Sequence, residues 1–181
     1  MKREPRWQGW LVNKQKLNSD FKHFTSKGAI QKIQPNERLS KIHLNKAFHN
    51  IDFANFVLNN QNKINKRIKE ETYFDWIIII SYYSMYHAAT GLLFKIGYKS
   101  KTHMSTICVL CKKFLGKDLN KKDIKNLSGI LSLSENEIKE IGNAKERRER
   151  ASYSGSISFD KFSAEITLDD ARKFINKVAD I

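Results

Sequence analysis

Tyr83 and His87 are four residues apart, a spacing that places two side chains on one face of a helix. A histidine with its ordinary pKa of about 6.5 suits proton transfer at neutral pH, so His87 is a candidate acid or base. The alternative is a core histidine whose ring is satisfied by a hydrogen bond. His103 directly follows Thr102. It is likewise either a residue of the site or a structural residue whose ring makes a hydrogen bond at the start of a helix or between helices.

Two cysteines, Cys108 and Cys111, have the spacing of a metal-binding pair, and His103 lies five residues before them. A structural zinc ion needs four ligands, and the sequence holds no second pair. We therefore interpret both cysteines as small apolar residues buried on one helix face. Glycine-rich phosphate loops, HExxH and the nucleophile elbow are also missing, so we predict no metal and no cofactor.

Positive charge is concentrated in the first part of the chain. The 181 residues carry 33 basic and 19 acidic side chains, a formal charge of +14. Residues 1–70 hold 15 basic and 5 acidic side chains, whereas residues 151–181 hold 4 and 5. Such an excess favours a polyanionic partner such as RNA, DNA or an anionic membrane, and the alternative is a solubilising lysine-rich surface. The low cysteine count and the lack of a cleavable signal pattern predict a cytoplasmic protein.

Eight glycines and two prolines are few for a β-rich or doubly wound fold of this size. We predict an all-α fold, an up-and-down bundle of five to six helices with no convincing strand. The predicted helices cover 36–62, 70–96, 102–115, a segment from Asn120, 134–151, and a last segment that opens at Thr167. The stretch from Trp76 to Phe94 carries no formal charge and just reaches membrane-spanning length, but its many polar residues favour the centre of the bundle.

The first 35 residues are interpreted as an N-terminal extension, followed by a helical domain over 36–181. Trp7, Trp10 and Leu11 lie among the basic residues Arg3 and Arg6. The aromatic rings could stack on bases, but we favour docking of this segment onto the body of the protein, because tryptophan gains more from burial.

Three short segments carry a resemblance to a known family. They are SYYSMYHAA at 81–89, KTH at 101–103 and RRERASY at 147–153. Over roughly 37–181 the chain resembles the HEPN superfamily (higher eukaryotes and prokaryotes nucleotide-binding), and within it the small prokaryotic branch with YYxMxHAA, TH and RxxAxY elements. The resemblance implies a helical bundle that dimerises, here through its central and late helices. It also implies a ribonuclease toxin that needs no metal, paired with a nucleotidyltransferase-type antitoxin.

The same resemblance implies the residues of a site. The family motif is an arginine followed a few residues later by a histidine. The arginine stabilises the charge of the scissile phosphate, and the histidine acts on the 2′-hydroxyl or the leaving oxygen. In this chain Tyr153 stands where that histidine is expected after Arg148, and no histidine follows His103. Tyrosine, with a pKa of about 10, is a poor base at neutral pH.

Arg148 is the residue we expect to hold phosphate, through the paired hydrogen bonds of its guanidinium group. The alternative is an ion pair with a carboxylate between helices. Arg147 and Arg150 are expected to add positive charge, and Tyr83 and His103 complete the predicted nucleotide-binding set. Tyr153 is interpreted as a packing residue or as a hydrogen-bonding partner across the site.

Three functions follow from these interpretations. The first is an RNA- or nucleotide-binding module of a toxin–antitoxin or defence system, in which Arg148 and the basic surface hold phosphate. The second is an active metal-independent endoribonuclease that uses Arg148 with Tyr153 or His87. The third is a protein-interaction subunit whose basic half binds an acidic partner.

Overall fold

The computed structural model describes residues 7–64, 73–129 and 160–181. A 3-10 turn spans Trp7–Leu11. The α-helices of the described residues are α1 (Lys14–Ser26), α2 (Glu37–Asn59), α3 (Gln61–Ile64), α4 (Phe74–Lys95), α5 (His103–Lys113), α6 (Lys121–Gly129) and α7 (Lys161–Ala179). Strands β1 (Ile30–Lys32) and β2 (Tyr98–Ser100) form one antiparallel ribbon. The all-α prediction is therefore confirmed, while the helix predicted at 134–151 lies outside the described residues.

Side-chain caps set where the principal helices begin. The amide of Leu39 donates to Asn36 at the start of α2, as the sequence predicts. At the start of α5, Thr102 accepts from the amide of Ser105, and the Ser105 hydroxyl accepts in return from the amide of Thr102. Asp160 accepts from the amide of Ser163 at the start of α7. Each cap satisfies an amide that has no partner within its own helix.

The core is built around α4, which packs against α2 and α7 and also contacts α5. α4 alone among the described helices is long and apolar enough to cross a membrane, and 67% of its most apolar window is buried. A helix that is apolar nearly all round gains most from a central position. The prediction that this segment forms the centre of the bundle agrees with that burial.

Three details of the predicted secondary structure are wrong. The described residues already hold seven α-helices against the five to six predicted, because α1 and the short α3 were not among the predicted helices. The short ribbon was not predicted, because three-residue strands are too short to show a period of two. The last helix does not open at Thr167. It begins at Lys161, and the Thr167 hydroxyl donates to the Ser163 carbonyl inside the helix. The apolar stripe of this helix extends back to Ala164, and burial of this residue helps to stabilise the six additional residues.

The N-terminal segment joins the same core as the rest of the described chain. Trp10 is 1% exposed, and its indole N–H donates to Asp20 at 2.6 Å. Leu17 of α1 and Ile30 of β1 are also buried in the core. The predicted docking of this segment through its aromatic residues is confirmed for Trp10. The predicted boundary between an N-terminal extension and a helical domain at residue 35 stays a prediction.

Candidate functional site: two histidine clusters on the central helix

The central helix α4 positions the predicted site residues on two of its sides. Tyr82 and Tyr86, four residues apart, approach the start of α5, whereas His87 approaches α2. α2 comes especially close at Gly91, where a Cβ atom would lie 2.9 Å from the Ser40 carbonyl oxygen. This close approach sets the distance between α2 and α4 at which the side chains of the two helices meet.

The first cluster joins α4 to α5 through His103. The Tyr82 hydroxyl and His103 Nδ1 share a hydrogen bond, and Tyr82 is 1% exposed. The Tyr86 ring lies 4.3 Å from the His103 ring, centroid to centroid. Because Thr102 caps α5, His103 is held in the first turn of that helix, directly against α4. The KTH segment and the YYSMYHAA segment therefore meet in space, and His103 forms the inter-helix hydrogen bond that one interpretation of the sequence predicts.

Tyr83 lies at the surface edge of this cluster. Its ring is 5.3 Å from that of Tyr82, and its side chain is 37% exposed. An exposed tyrosine beside a buried aromatic cluster offers a flat face and a hydroxyl to a ligand. This position is compatible with the nucleotide-binding role predicted for Tyr83.

The second cluster is a pair of histidines between α2 and α4. The Nδ1 atoms of His43 and His87 are 3.0 Å apart, so one nitrogen donates and the other accepts. The His43 ring also stacks on Phe94, with the centroids 5.4 Å apart. Burial, together with the neighbouring charges of His43 and Lys46, lowers the pKa of His87 to about 4. At neutral pH His87 is therefore uncharged and a weak base, with its Nδ1 occupied by His43.

Sequence reasoning missed His43, Tyr82 and Tyr86 as partners of the predicted residues. A signal for His43 was present, because it lies on the same stripe of α2 as the buried Ala47 and Ala54. A histidine on a buried stripe needs a polar partner, and the neighbouring central helix offers a single histidine for that role. For the tyrosines the signal was their spacing of four residues, which places them on one side of α4.

The predicted residues Arg147, Arg148, Arg150 and Tyr153 lie outside the described residues. Their predicted roles therefore stay predictions. Of the predicted residues that the structure describes, His103 and Tyr83 belong to the first cluster and His87 to the second.

The described residues also contain a cavity of about 320 Å³ between α2, α4 and α7. Leu44 and Leu92 contribute apolar walls, and Glu37, Lys41 and Lys95 contribute charged side chains. None of the histidines and tyrosines of the two clusters is part of its lining. The cavity is therefore separate from both histidine clusters.

The cysteines are buried and unpaired by any disulfide, in agreement with their predicted structural role. Burial raises the pKa of Cys108 well above its usual range and that of Cys111 to about 12, so neither is a thiolate at neutral pH. In the part of the chain that the structure describes, no three histidine, cysteine or acidic side chains converge as a metal site would require.

A family model for the HEPN domain matches residues 59–181, about two thirds of the chain. The chain belongs to the HEPN family. His87 and His103 lie inside the HEPN region, whereas His43 and most of α2 precede it. Membership supports a nucleotide- or RNA-related module at the level of the family. No curated protein matches the chain significantly.

Proposed function

We propose that this HEPN protein is an RNA- or nucleotide-binding module of a prokaryotic toxin–antitoxin or defence system. Arg148 and the basic surface hold phosphate in this proposal. The protein acts in the cytoplasm as a homodimer formed by its central and late helices, beside a nucleotidyltransferase-type partner.

The observation that carries the proposal is the HEPN match combined with a strongly positive chain. Phosphate backbones attract such a surface without any reading of base sequence. His87 supports binding over catalysis, because its Nδ1 is occupied by His43 and its pKa of about 4 makes it a weak base.

Binding and cleavage can be measured on the same samples. The purified full-length protein is incubated with total RNA and with tRNA in EDTA, and its affinity for a labelled RNA is measured at increasing salt. Arg148→Ala is compared with Arg38→Ala, which removes one exposed arginine of α2 instead. His87→Ala is compared with His49→Ala, which removes an exposed histidine of α2.

We expect binding that weakens steeply with salt, no cleavage, and an affinity about tenfold lower for Arg148→Ala alone. Cleavage by the parent that Arg148→Ala or His87→Ala abolishes would replace the proposal with a metal-independent endoribonuclease. Absence of both binding and cleavage would refute the proposal and direct the search to an acidic protein partner.

A further inference from the structure

Two segments distant in sequence hold a marked excess of lysine. Residues 7–32 and 97–117 together contain ten lysines and one acidic residue, Asp20. The carboxylate of Asp20 is engaged by the indole N–H of Trp10. The lysines are Lys14, Lys16, Lys22, Lys27, Lys32, Lys99, Lys101, Lys112, Lys113 and Lys117.

The fold brings these two segments together. β1 pairs with β2, and α1 packs against both α5 and β1. Lys112 of α5 donates to Asn18 of α1, and Lys113 of α5 lies over the ring of Tyr98 in β2, 5.0 Å from its centroid. These contacts bring Lys112 and Lys113 of one segment close to Lys32 of the other, which lies opposite Tyr98 in the ribbon.

Charge is arranged differently in the helices α6 and α7. The four ion pairs between described residues all involve these two helices and include Lys122 with Asp170 and Lys177 with Asp123. These two helices hold seven basic and four acidic side chains, compared with ten lysines and one acidic residue in the two lysine-rich segments. Among the described residues, by contrast, none of the ten lysines in 7–32 and 97–117 has a carboxylate within ion-pair distance. Their charge is therefore available to an external anion.

Tyr98 of β2 lies next to lysines from both segments. Its ring meets Phe21 edge to face, with the centroids 6.3 Å apart. Lys32 is its partner across the ribbon, and Lys113 covers its ring. Both aromatic rings are partly exposed, and Lys32, Lys112 and Lys113 are exposed. We call Phe21, Lys32, Tyr98, Lys112 and Lys113 the ribbon surface.

We infer that the ribbon surface binds a single strand of RNA, with its lysines on the phosphates and its aromatic rings against the bases. Surfaces that bind single strands combine positive charge along the backbone with aromatic side chains on which bases stack. Attraction by charge alone, to an anionic membrane or an acidic protein, does not require aromatic rings among the lysines, whereas stacking of bases does. The inference rests on the proposed function and locates its RNA contact.

This surface is shared between the HEPN region and the segment before it. Tyr98, Lys112 and Lys113 lie within the HEPN match at 59–181, whereas Phe21 and Lys32 precede it. The inferred RNA contact is therefore assembled by docking of the N-terminal segment, and it is distinct in sequence from the predicted Arg148 site.

The test removes the same number of charges from two faces of the full-length protein. Lys32→Gln/Lys112→Gln/Lys113→Gln alters the ribbon surface, and Lys121→Gln/Lys125→Gln/Lys161→Gln alters exposed lysines of α6 and α7. Binding of a labelled single-stranded RNA is followed by fluorescence anisotropy across a range of salt. Tyr98→Leu, which keeps apolar contact with Phe21, tests stacking separately. Vesicles of phosphatidylserine and phosphatidylcholine serve as a second polyanion.

We expect the ribbon triple variant to lose about tenfold or more in RNA affinity at low salt, and its salt dependence to fall by about 2 in log–log slope. The α6–α7 variant should bind nearly as the parent does. Tyr98→Leu should lose about fivefold or more with an unchanged salt slope, because stacking releases no counterions.

Parent binding with equal losses in both triple variants would overturn the inference and leave the proposed function standing. Failure of the parent to bind RNA would refute both. If the ribbon variant lost vesicle binding but kept RNA binding, the ribbon surface would bind anionic lipid instead of RNA. Unchanged affinity of Tyr98→Leu would overturn the role given to the aromatic rings.

Discussion

His43 and His87 contact each other through Nδ1 atoms, an arrangement that holds one proton between these two nitrogens. A second proton there would convert the accepting ring to an imidazolium whose N–H faces the N–H of the other ring, close to the charge of Lys46. Burial is the main cause of the lowered pKa of both rings, and Lys46 adds to it. The folded protein therefore keeps the pair neutral, whereas the unfolded chain protonates it below a pH of about 6.5.

This difference predicts a loss of stability in mild acid. As the pH falls from about 6.5 towards 4, the unfolded state binds protons that the folded state does not bind. The free energy of unfolding therefore decreases. Between about pH 7 and pH 5 we expect the parent to lose about 1 kcal/mol more than His87→Asn, after allowance for solvent screening at a partly exposed ring. Urea unfolding at each pH measures the difference.

The control for this prediction is His49→Asn, which alters an exposed histidine of α2. It should keep the acid sensitivity of the parent. If His87→Asn lost as much stability in acid as the parent, the neutral pair would not be the source of that sensitivity.

At the level of elements, the turn between α4 and β2 depends on the glycine at position 97. Gly97 has φ +76°, and a Cβ there would lie 2.7 Å from the Ile33 carbonyl oxygen. Its own carbonyl accepts from the amide of Ile33. The chain can therefore leave α4 and pair with the segment after β1 only where no side chain intervenes.

Gly97→Ala should accordingly destabilise the protein more than Gly116→Ala. Gly116 has φ +81°, but a Cβ added there would meet no atom within 4 Å, so its substitution adds only backbone strain of about 1–2 kcal/mol. The contact with Ile33 should add about 1–3 kcal/mol at Gly97. Thermal unfolding followed by circular dichroism compares the two variants. Equal losses of stability in the two variants would mean that the ribbon moves away from the added Cβ atom without a measurable loss of free energy.

Across the whole molecule, the segment before the HEPN match is part of the same core as the segment within it. Trp10 and Leu17 are buried together with Cys108 and Leu110 of α5 in one hydrophobic cluster. Ile30 of β1 is 1% exposed. Burial of large apolar side chains is the main favourable contribution to folding, so the body of the protein depends on this segment.

Removal of the segment should therefore destabilise the HEPN region itself. Trp10→Ala is expected to cost about 3–5 kcal/mol, and a chain that lacks residues 1–32 should unfold at a lower urea concentration still or aggregate. Lys14→Ala, an exposed residue of α1, is the matched control and should change little. A shortened chain with the urea midpoint of the parent would show that the remaining residues are stable alone.

The sequence by itself determined the fold class, the starts of α2, α5 and α6, the end of α4, and the family. Asn36, Thr102 and Gly97 are local signals, because capping and positive φ are decided by the residue and its immediate neighbours. The YYSMYHAA and KTH segments are local as well. The uncharged run of α4 indicated a central helix, because an element without a polar face is stable only when it is surrounded.

Tertiary structure alone decided which chemical groups meet. The pairing of His43 with His87, of Tyr82 with His103, and of Lys113 with Tyr98 joins residues distant in sequence. Burial of Ala164 in the core likewise helped to place the start of α7 at Lys161, next to the cap at Asp160, instead of at the capping pattern of Thr167. Such contacts depend on how whole helices pack, and no local sequence pattern encodes the distance between two faces.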